Sequence, residues 1–389
     1  MPIAIVGGAL ANKPFNGGEA WVRLSWILGL RRLGFDTYFA EELASSNCLD
    51  PSGAEAEFSA SANRGYFEEV IRDFGLDGRA GLLCDGGRET AGLSLVELQE
   101  VASDADLLIN LSGHLTIDAI LDGPRMSVYV DLDPCFTQAW HADQALSFEL
   151  PRHDRFATVG LNIGTPLSPV PDCGIDWIPT LPPVVLEHWP QQAPRAGAPH
   201  FTTVATWRSP YGPLLIDGRT MGLKHHELRR LIELPERVRG ATFEIALTIG
   251  EEDSADLDAL RDHGWKVTDP GKVADTPGRF RDFVRSSAAE FSVAQGVYAE
   301  TASGWFSDRT AAYLACGRPA LVQNTGLGNE LGLGEGLLTF SSLEEAMSGA
   351  ERVAAEYGLH SAAARLFATR HLDSDIVLGQ LLSLIGLGG

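Results

Sequence analysis

Residues 303–326 read Ser-Gly-Trp-Phe-Ser-Asp-Arg-Thr-Ala-Ala-Tyr-Leu-Ala-Cys-Gly-Arg-Pro-Ala-Leu-Val-Gln-Asn-Thr-Gly, and this stretch decides the fold. The short apolar run Glu290–Ala294 ahead of it has the length and boundaries of a buried strand. A loop with Gly296 and Gly304 follows, and Ser307 and Asp308 are N-cap residues for a helix through Ala315. Gly317 stops that helix, and Pro319–Val322 begins another strand. Strand, polar glycine loop, helix and strand form one α/β unit. A helix N-terminus with free amides, a serine hydroxyl and Arg309 beside it is a natural seat for phosphate.

Working outward, the chain alternates strand and helix on both sides of a proline-rich segment, Thr180–His200. The first half opens with a strand at Ile3–Val6, a glycine loop to Gly17-Gly18, and a helix carrying Val22, Trp26, Leu30 and Leu33 at helical spacing, stopped by Gly34. The loop lacks the Gly-x-Gly-x-x-Gly spacing of a dinucleotide site, which argues against a nicotinamide enzyme. Further strands are expected at Asp106–Leu111 and Arg125–Val130, followed by Ser112-Gly113-His114 and Asp131-Leu132-Asp133-Pro134. The second half restarts with a strand at Phe201–Thr206 and continues with strands at Phe243–Ile249 and Trp265–Val267. Each half therefore reads as an open parallel sheet covered on both faces.

The segment 303–319, ending Ala315-Cys316-Gly317-Arg318-Pro319, resembles the donor-binding segment of GT-B glycosyltransferases. The runs Thr202–Trp207, Asp131–Pro134 and Gly304–Arg309 extend a similarity to bacterial glycosyltransferase-like proteins over most of the chain. The resemblance implies two Rossmann-like domains facing across a cleft. Residues 1–180 would bind the acceptor, 181–200 would link the domains, and 201–372 would bind a nucleotide sugar. The last helix, 373–389, would return to the first domain. The group-1 branch of this family carries two Glu residues with seven residues between them, but Gly304 and Ala312 occupy those positions here, so that branch's stereochemistry is not carried over.

The resemblance also organises the candidate residues. Gly304, Trp305, Ser307, Asp308 and Arg309 would hold the donor, with Arg309 and its helix on the diphosphate. Arg208, Arg219 and Lys224, in the loop after the 201–206 strand, are either cations for the leaving diphosphate or solvent-exposed charge. In the first half, His114 is either a general base or a loop histidine bonded to backbone. Asp133 is the second base candidate. Asp131, Asp133 and Gln138 are acceptor contacts or caps. A divalent metal on the Asp-Leu-Asp pair is disfavoured because the pair lies in the half opposite the donor segment and Pro134 breaks its strand at once. Gly17 and Gly18 would admit close approach of the acceptor to backbone. Trp207, Tyr298 and Trp305 are stacking or core aromatics.

Composition bounds the rest. The 389 residues carry a net charge of −22, which argues against a nucleic acid or anionic membrane partner and serves either solubility alone or, by long-range attraction, a cationic natural product as acceptor. The start, Met1–Val6, reads as a core strand and not a signal peptide, and no apolar run reaches the length of a membrane span. Five scattered cysteines without metal or redox spacing suit a reducing cytoplasm. The expectation is a cytoplasmic, metal-independent enzyme without a cofactor, which moves a sugar from a nucleoside diphosphate to a small molecule. A homodimer is left open. An epimerase of the same fold and a non-catalytic partner protein remain the alternatives.

Overall fold

A computed structural model describes residues 1–143, 150–193, 197–209, 211–328 and 331–387. The first sheet has eight strands: β1 (Ile3–Gly7), β2 (Asp36–Leu43), β3 (Ala80–Cys84), β4 (Glu89–Gly92), β5 (Leu107–Leu111), β6 (Ser127–Asp131), β7 (Arg155–Thr158) and β8 (Trp177–Pro179). Their order is β4-β3-β2-β1-β5-β6-β7-β8, parallel except for β4, which pairs antiparallel with β3. The β3–β4 hairpin departs from the expected all-parallel sheet. Its turn holds Asp85, Gly86 and Gly87 at positive φ, and its second strand is a short, half-exposed edge without an apolar run. Helices α1 (Gly17–Arg32), α2 (Ala62–Asp73), α3 (Leu95–Asp104), α4 (Asp118–Leu121) and α5 (Phe136–Ala142) connect the strands. Asn16 caps α1 by accepting the Glu19 amide, and a reciprocal Ser94–Glu97 pair caps α3.

The second sheet has six strands: β9 (His200–Thr206), β12 (Thr242–Thr248), β13 (Lys266–Thr268), β14 (Ala289–Ser292), β15 (Ala320–Gln323) and β16 (Leu337–Phe340), ordered β13-β12-β9-β14-β15-β16 and all parallel. A small hairpin, β10 (Leu215–Ile216) and β11 (Arg219–Thr220), interrupts the loop after β9. The helices are α6 (Lys224–Arg230), α7 (Leu234–Arg237), α8 (Ser254–Asp262), α9 (Pro270–Val273), α10 (Pro277–Ser286), α11 (Gly296–Glu300), α12 (Asp308–Ala315), α13 (Leu343–Ala355), α14 (Tyr357–Phe367) and α15 (Ser374–Leu384). Gly317, at φ +69°, ends α12 while the Gly317 and Arg318 amides bond back to Leu314 and Tyr313. The core of this domain is aromatic: Phe291 stacks on Phe340 at 5.2 Å and meets Phe243 and Trp265.

Two seams join the domains. In one, Gly17 donates its amide to the Ala274 carbonyl at 2.7 Å, and the Trp21 indole donates to the Pro277 carbonyl at 2.8 Å. In the other, the loop after β7 runs against the loop before α12: the Phe306, Leu161 and Asn162 amides bond to Val159, Gly304 and Ser303, and the Asn162 side chain donates to Ala302 and Gly326. The chain's last helix, α15, lies on α1, where Leu378 and Ser374 press on Gly29 and Arg32 grips Asp375. Val184, in the connecting segment, exchanges backbone bonds with Leu372 and Ser374.

Gly17 is required by the first seam, because a Cβ there would stand 2.1 Å from the Thr276 carbonyl oxygen and 2.9 Å from that of Ala274. Gly17→Ala is expected to lower unfolding stability by about 1–3 kcal/mol. Gly65→Ala, on the exposed face of α2 with open space around it, is expected to be neutral or to stabilise by up to about 1 kcal/mol. Urea unfolding of the two variants checks the contrast, and equal midpoints would remove the steric account of the seam.

Candidate active site

The carboxyl ends of both sheets face a cleft of about 490 Å³, as expected for ligand sites on open α/β sheets. The first-domain wall comes from the loop after β1, the start of α1 and the turns after β5 and β6. Buried Glu41 on β2 accepts the Ala11 and Asn12 amides, each at 2.8 Å, and so fixes the path of the first loop. Burial, offset by these amides, pushes Glu41 up to about 7. Glu19 is the hub of this wall. Lys13 reaches it at 3.1 Å, and Arg23, one helical turn on, pairs with the same oxygen. Burial raises the Glu19 pKa, but the two cations outweigh it and hold the carboxyl well below the usual carboxylate range.

The second-domain wall comes from the ends of β9 and β12 and the starts of α6, α9, α11 and α12. Lys224, the first residue of α6, faces the cleft, and its ammonium has no hydrogen-bond or ion-pair partner among the described residues. Burial, with Arg309 nearby, lowers its pKa to about 8, although Asp308, Asp133 and Glu19 pull the other way. On the same wall, the N-terminus of α12 presents Ser307 and Asp308 to the cleft, with first-turn amides that bond to no other described residue. Enclosure by protein, reinforced by Glu19, pushes Asp308 up to about 6 against the pull of Arg309. Tyr298 and Trp305 stack at 4.7 Å between the walls, and the Tyr298 hydroxyl donates to Asp133 at 3.4 Å. Among the described residues, four basic side chains (Lys13, Arg23, Lys224, Arg309) and four acidic ones (Glu19, Asp133, Asp269, Asp308) line the cleft, so it is balanced in charge although the whole chain is strongly acidic.

The structure brings together Gly18, Asp133, Lys224, Trp305, Ser307, Asp308 and Arg309. Other residues singled out in the sequence have different surroundings. Arg208 is clamped onto Asp253 by two bonds of 2.6 Å, and Arg219 sits on the exposed hairpin 3.9 Å from Glu300, so neither lines the cleft. Trp207 is fully buried and donates to Asp256. Arg309 lines the cleft, yet its guanidinium is committed to Glu290, the Val204 carbonyl and the Ser292 hydroxyl at 2.8, 2.8 and 2.6 Å. Gly304, at φ +73°, contributes backbone to the second seam, and a Cβ there would meet the Asn162 amide nitrogen at 2.8 Å. Gly17 is engaged by the first seam.

Asp131 is completely buried and accepts from Thr137, Gln138, Thr158 and the Asp133 amide at 2.7–3.1 Å. Gln138, also buried, divides itself between Asp131 and the Cys135 amide. This network holds the turn that aims Asp133 into the cleft, including Cys135 at φ +77°. Burial is the largest influence on Asp133 and raises its pKa. His114 is half-buried and does not line the cleft, whereas Ser112 does. Burial together with Arg23 and Lys13 drives the His114 imidazole down to about 3, far from the value that suits a general base near neutrality. Among the described residues no three His, Cys, Asp or Glu side chains are grouped to hold a metal ion.

Sequence reasoning missed the Lys13–Glu19–Arg23 cluster. Its signal was present: Glu19 and Arg23 are four apart on α1, and Arg23 is a charge at a helical position that is only 2% exposed.

With this geometry in hand, comparison with solved structures is informative. HepE from Anabaena, in complex with UDP-glucose, aligns with a TM-score of 0.61 at 12% identity over 99% of both chains. An α-glucosyltransferase (AGT) in complex with UDP aligns at 0.59 and 10% identity, over 99% of this chain and 100% of its own. The chain has the GT-B glycosyltransferase fold. AviGT4, a glycosyltransferase involved in avilamycin A biosynthesis, shares it at a TM-score of 0.53 and 12% identity, over 100% of this chain and 98% of its own. No protein-family model matches the chain, and no curated protein matches it in sequence. At these identities the likeness speaks for the GT-B fold alone, so the reaction must be argued from the cleft. No helix among the described residues is long and apolar enough to cross a membrane.

Proposed function

We propose that the protein transfers a sugar from a nucleoside diphosphate donor to a small-molecule acceptor. The carrying observation is that the Lys224 ammonium, without a partner among the described residues, and the open N-terminus of α12 line one wall of a cleft large enough for a nucleotide sugar. A departing diphosphate gathers negative charge, and a fixed cation with free amides in a partly dry site stabilises that charge as it develops. The UDP and UDP-glucose in the AGT and HepE complexes are chemically of the kind this seat would take. The acceptor approaches from the first-domain wall, where Asp133 is the carboxylate placed to take its proton. A cationic natural product as acceptor has support from the long-range field of the chain but none from the charge-balanced cleft itself.

The test has two stages. Calorimetry should show UDP or another nucleoside diphosphate binding to the full chain, and absence of any binding would leave the non-catalytic partner as the surviving reading. Incubation with nucleotide sugars and no acceptor should then return the sugar unchanged or slowly hydrolysed. Recovery of an epimerised sugar would replace the transferase with an epimerase.

Metal-independent chemistry belongs to the same proposal. Asp131 already receives four protein donors, so the Asp-Leu-Asp turn leaves Asp133 alone to offer a carboxylate to the cleft. Transfer is expected to persist in excess chelator. Complete loss, restored by magnesium or manganese, would overturn this part.

A further inference from the structure

Arg23 lines the cleft on the first-domain wall and is almost fully buried, an uncommon setting for a guanidinium. Its bonds to described residues all run through Nη1, to the Glu19 carbonyl and carboxylate. Nε is buried without a partner, and Nη2 bonds to no described residue. Unpaired donors on a buried charge are costly, so they point to a partner from outside the chain. Packing fixes the group in place: a Cβ on Gly8 would stand 3.1 Å from the Arg23 Cγ, so the stem runs directly beneath the loop after β1. Lys13 shares the same Glu19 oxygen, so ammonium and guanidinium are neighbours and one carboxylate answers two cations. Glu41 also feels Arg23, but it gives its two oxygens to the Ala11 and Asn12 amides. Ser112 adds a hydroxyl that bonds to no described residue and sits at φ +52°, a strained backbone for a residue with a Cβ. His114, two residues on, is influenced by both Arg23 and Lys13, which puts this turn beside them.

This group of donors belongs to the first-domain wall, apart from Lys224 and the N-terminus of α12 on the second. The diphosphate of a donor has its cation there, which leaves the first-wall cations for another ligand. Lys13 and Arg23 both act on Asp133, so a ligand anchored by them lies beside the carboxylate placed to take the acceptor's proton. An anionic oxygen group satisfies the free guanidinium donors and balances the second cation, through charge-assisted bonds that neutral ligands do not offer. The net charge of −22 opposes every anion from afar, the nucleoside diphosphate included, so the local cations decide. Resting on the reading of the cleft as a transferase site, we infer that Arg23, Lys13 and Ser112 form a seat for an anionic group, phosphate or carboxylate, carried by the acceptor.

The experiment is calorimetry on the full chain, first with UDP and dTDP. Inorganic phosphate, acetate and, as a neutral control, glucose are then titrated with the nucleoside diphosphate that binds held at saturation. Phosphate or acetate is expected to bind to the loaded protein, and the tighter of the two tells a phosphoryl group from a carboxylate. Lys13→Met, at a half-exposed side chain, should weaken that binding by about tenfold or more. Glu19→Gln, which keeps the side chain's shape and removes the competing charge, should tighten it several-fold, a gain that a purely structural cluster does not produce. Absence of anion binding to the loaded protein, or binding indifferent to both variants, overturns the inference and spares the donor site. A tenfold loss of nucleoside diphosphate affinity in Lys13→Met gives these cations to the donor and overturns it too. Failure of both diphosphates to bind removes the transferase reading and the acceptor seat together.

Discussion

Lys224→Met weakens nucleoside diphosphate binding by about tenfold or more and lowers kcat/KM for transfer by about 10²–10³-fold. The substitution keeps the apolar stem and removes only the ammonium, which has no partner among the described residues to strand. With burial holding Lys224 down to about 8, the wild-type affinity should fall as pH rises through that value and level off near that of Lys224→Met, as the charge that meets the phosphates is lost. Lys224→Arg stays charged and should flatten the fall. Folding gives an independent check. The folded pKa of about 8 lies below the ordinary 10.5, so between these values the unfolded chain binds more protons and stability rises with pH. Lys224→Met should lose that rise and be no less stable than wild type at pH 7. An unchanged dissociation constant in this variant would place the diphosphate elsewhere.

Arg309→Ala has its main effect on stability. Glu290 on β14 is completely buried, and Arg309 is its ion-pair partner. Burial raises the Glu290 pKa, while Arg309 is the leading influence that lowers it. Breaking such a pair from one side typically costs about 3–5 kcal/mol, because an uncompensated charge stays in the interior. The Val204 carbonyl and Ser292 hydroxyl lose a donor at the same time. Urea unfolding should show the loss, and adding Glu290→Gln should recover part of it by removing the stranded charge. A variant with a wild-type midpoint and tenfold weaker nucleotide binding would instead make Arg309 a phosphate ligand whose structural bonds are expendable.

These two residues show what the sequence makes legible. The helix at 308–315, its stop at Gly317 and its flanking strands are local events, governed by caps and short apolar runs, and they can be read directly. That Lys224 faces the cleft while Arg208 and Arg219 do not depends on Asp253 and Glu300, partners distant in sequence. The commitment of Arg309 to Glu290 is likewise a tertiary fact, since their spacing of 19 residues across a loop and a helix gives no periodic signal. Gly17 looks like a ligand-approach glycine from its loop and is in fact a contact glycine, because the opposing surface belongs to residues 274–277. Asp131 differs again. Its position at a strand end is readable, but its four donors come from a turn and a neighbouring strand that only the folded chain assembles.

The seat of α15 on α1 has a consequence for how the molecule is made. Val184 pairs with residues 372 and 374, so the first domain is closed by a segment roughly 190 residues downstream of that point. On a ribosome adding about 5–20 residues per second, the Gly29 face of α1 would wait about 20–70 s for its cover. During that interval the second domain can complete its own sheet, so the natural order of completion is inverted: the part translated first matures last. A nascent chain stalled before residue 374 should therefore expose α1 to chaperones or proteases while residues 200–340 are already resistant.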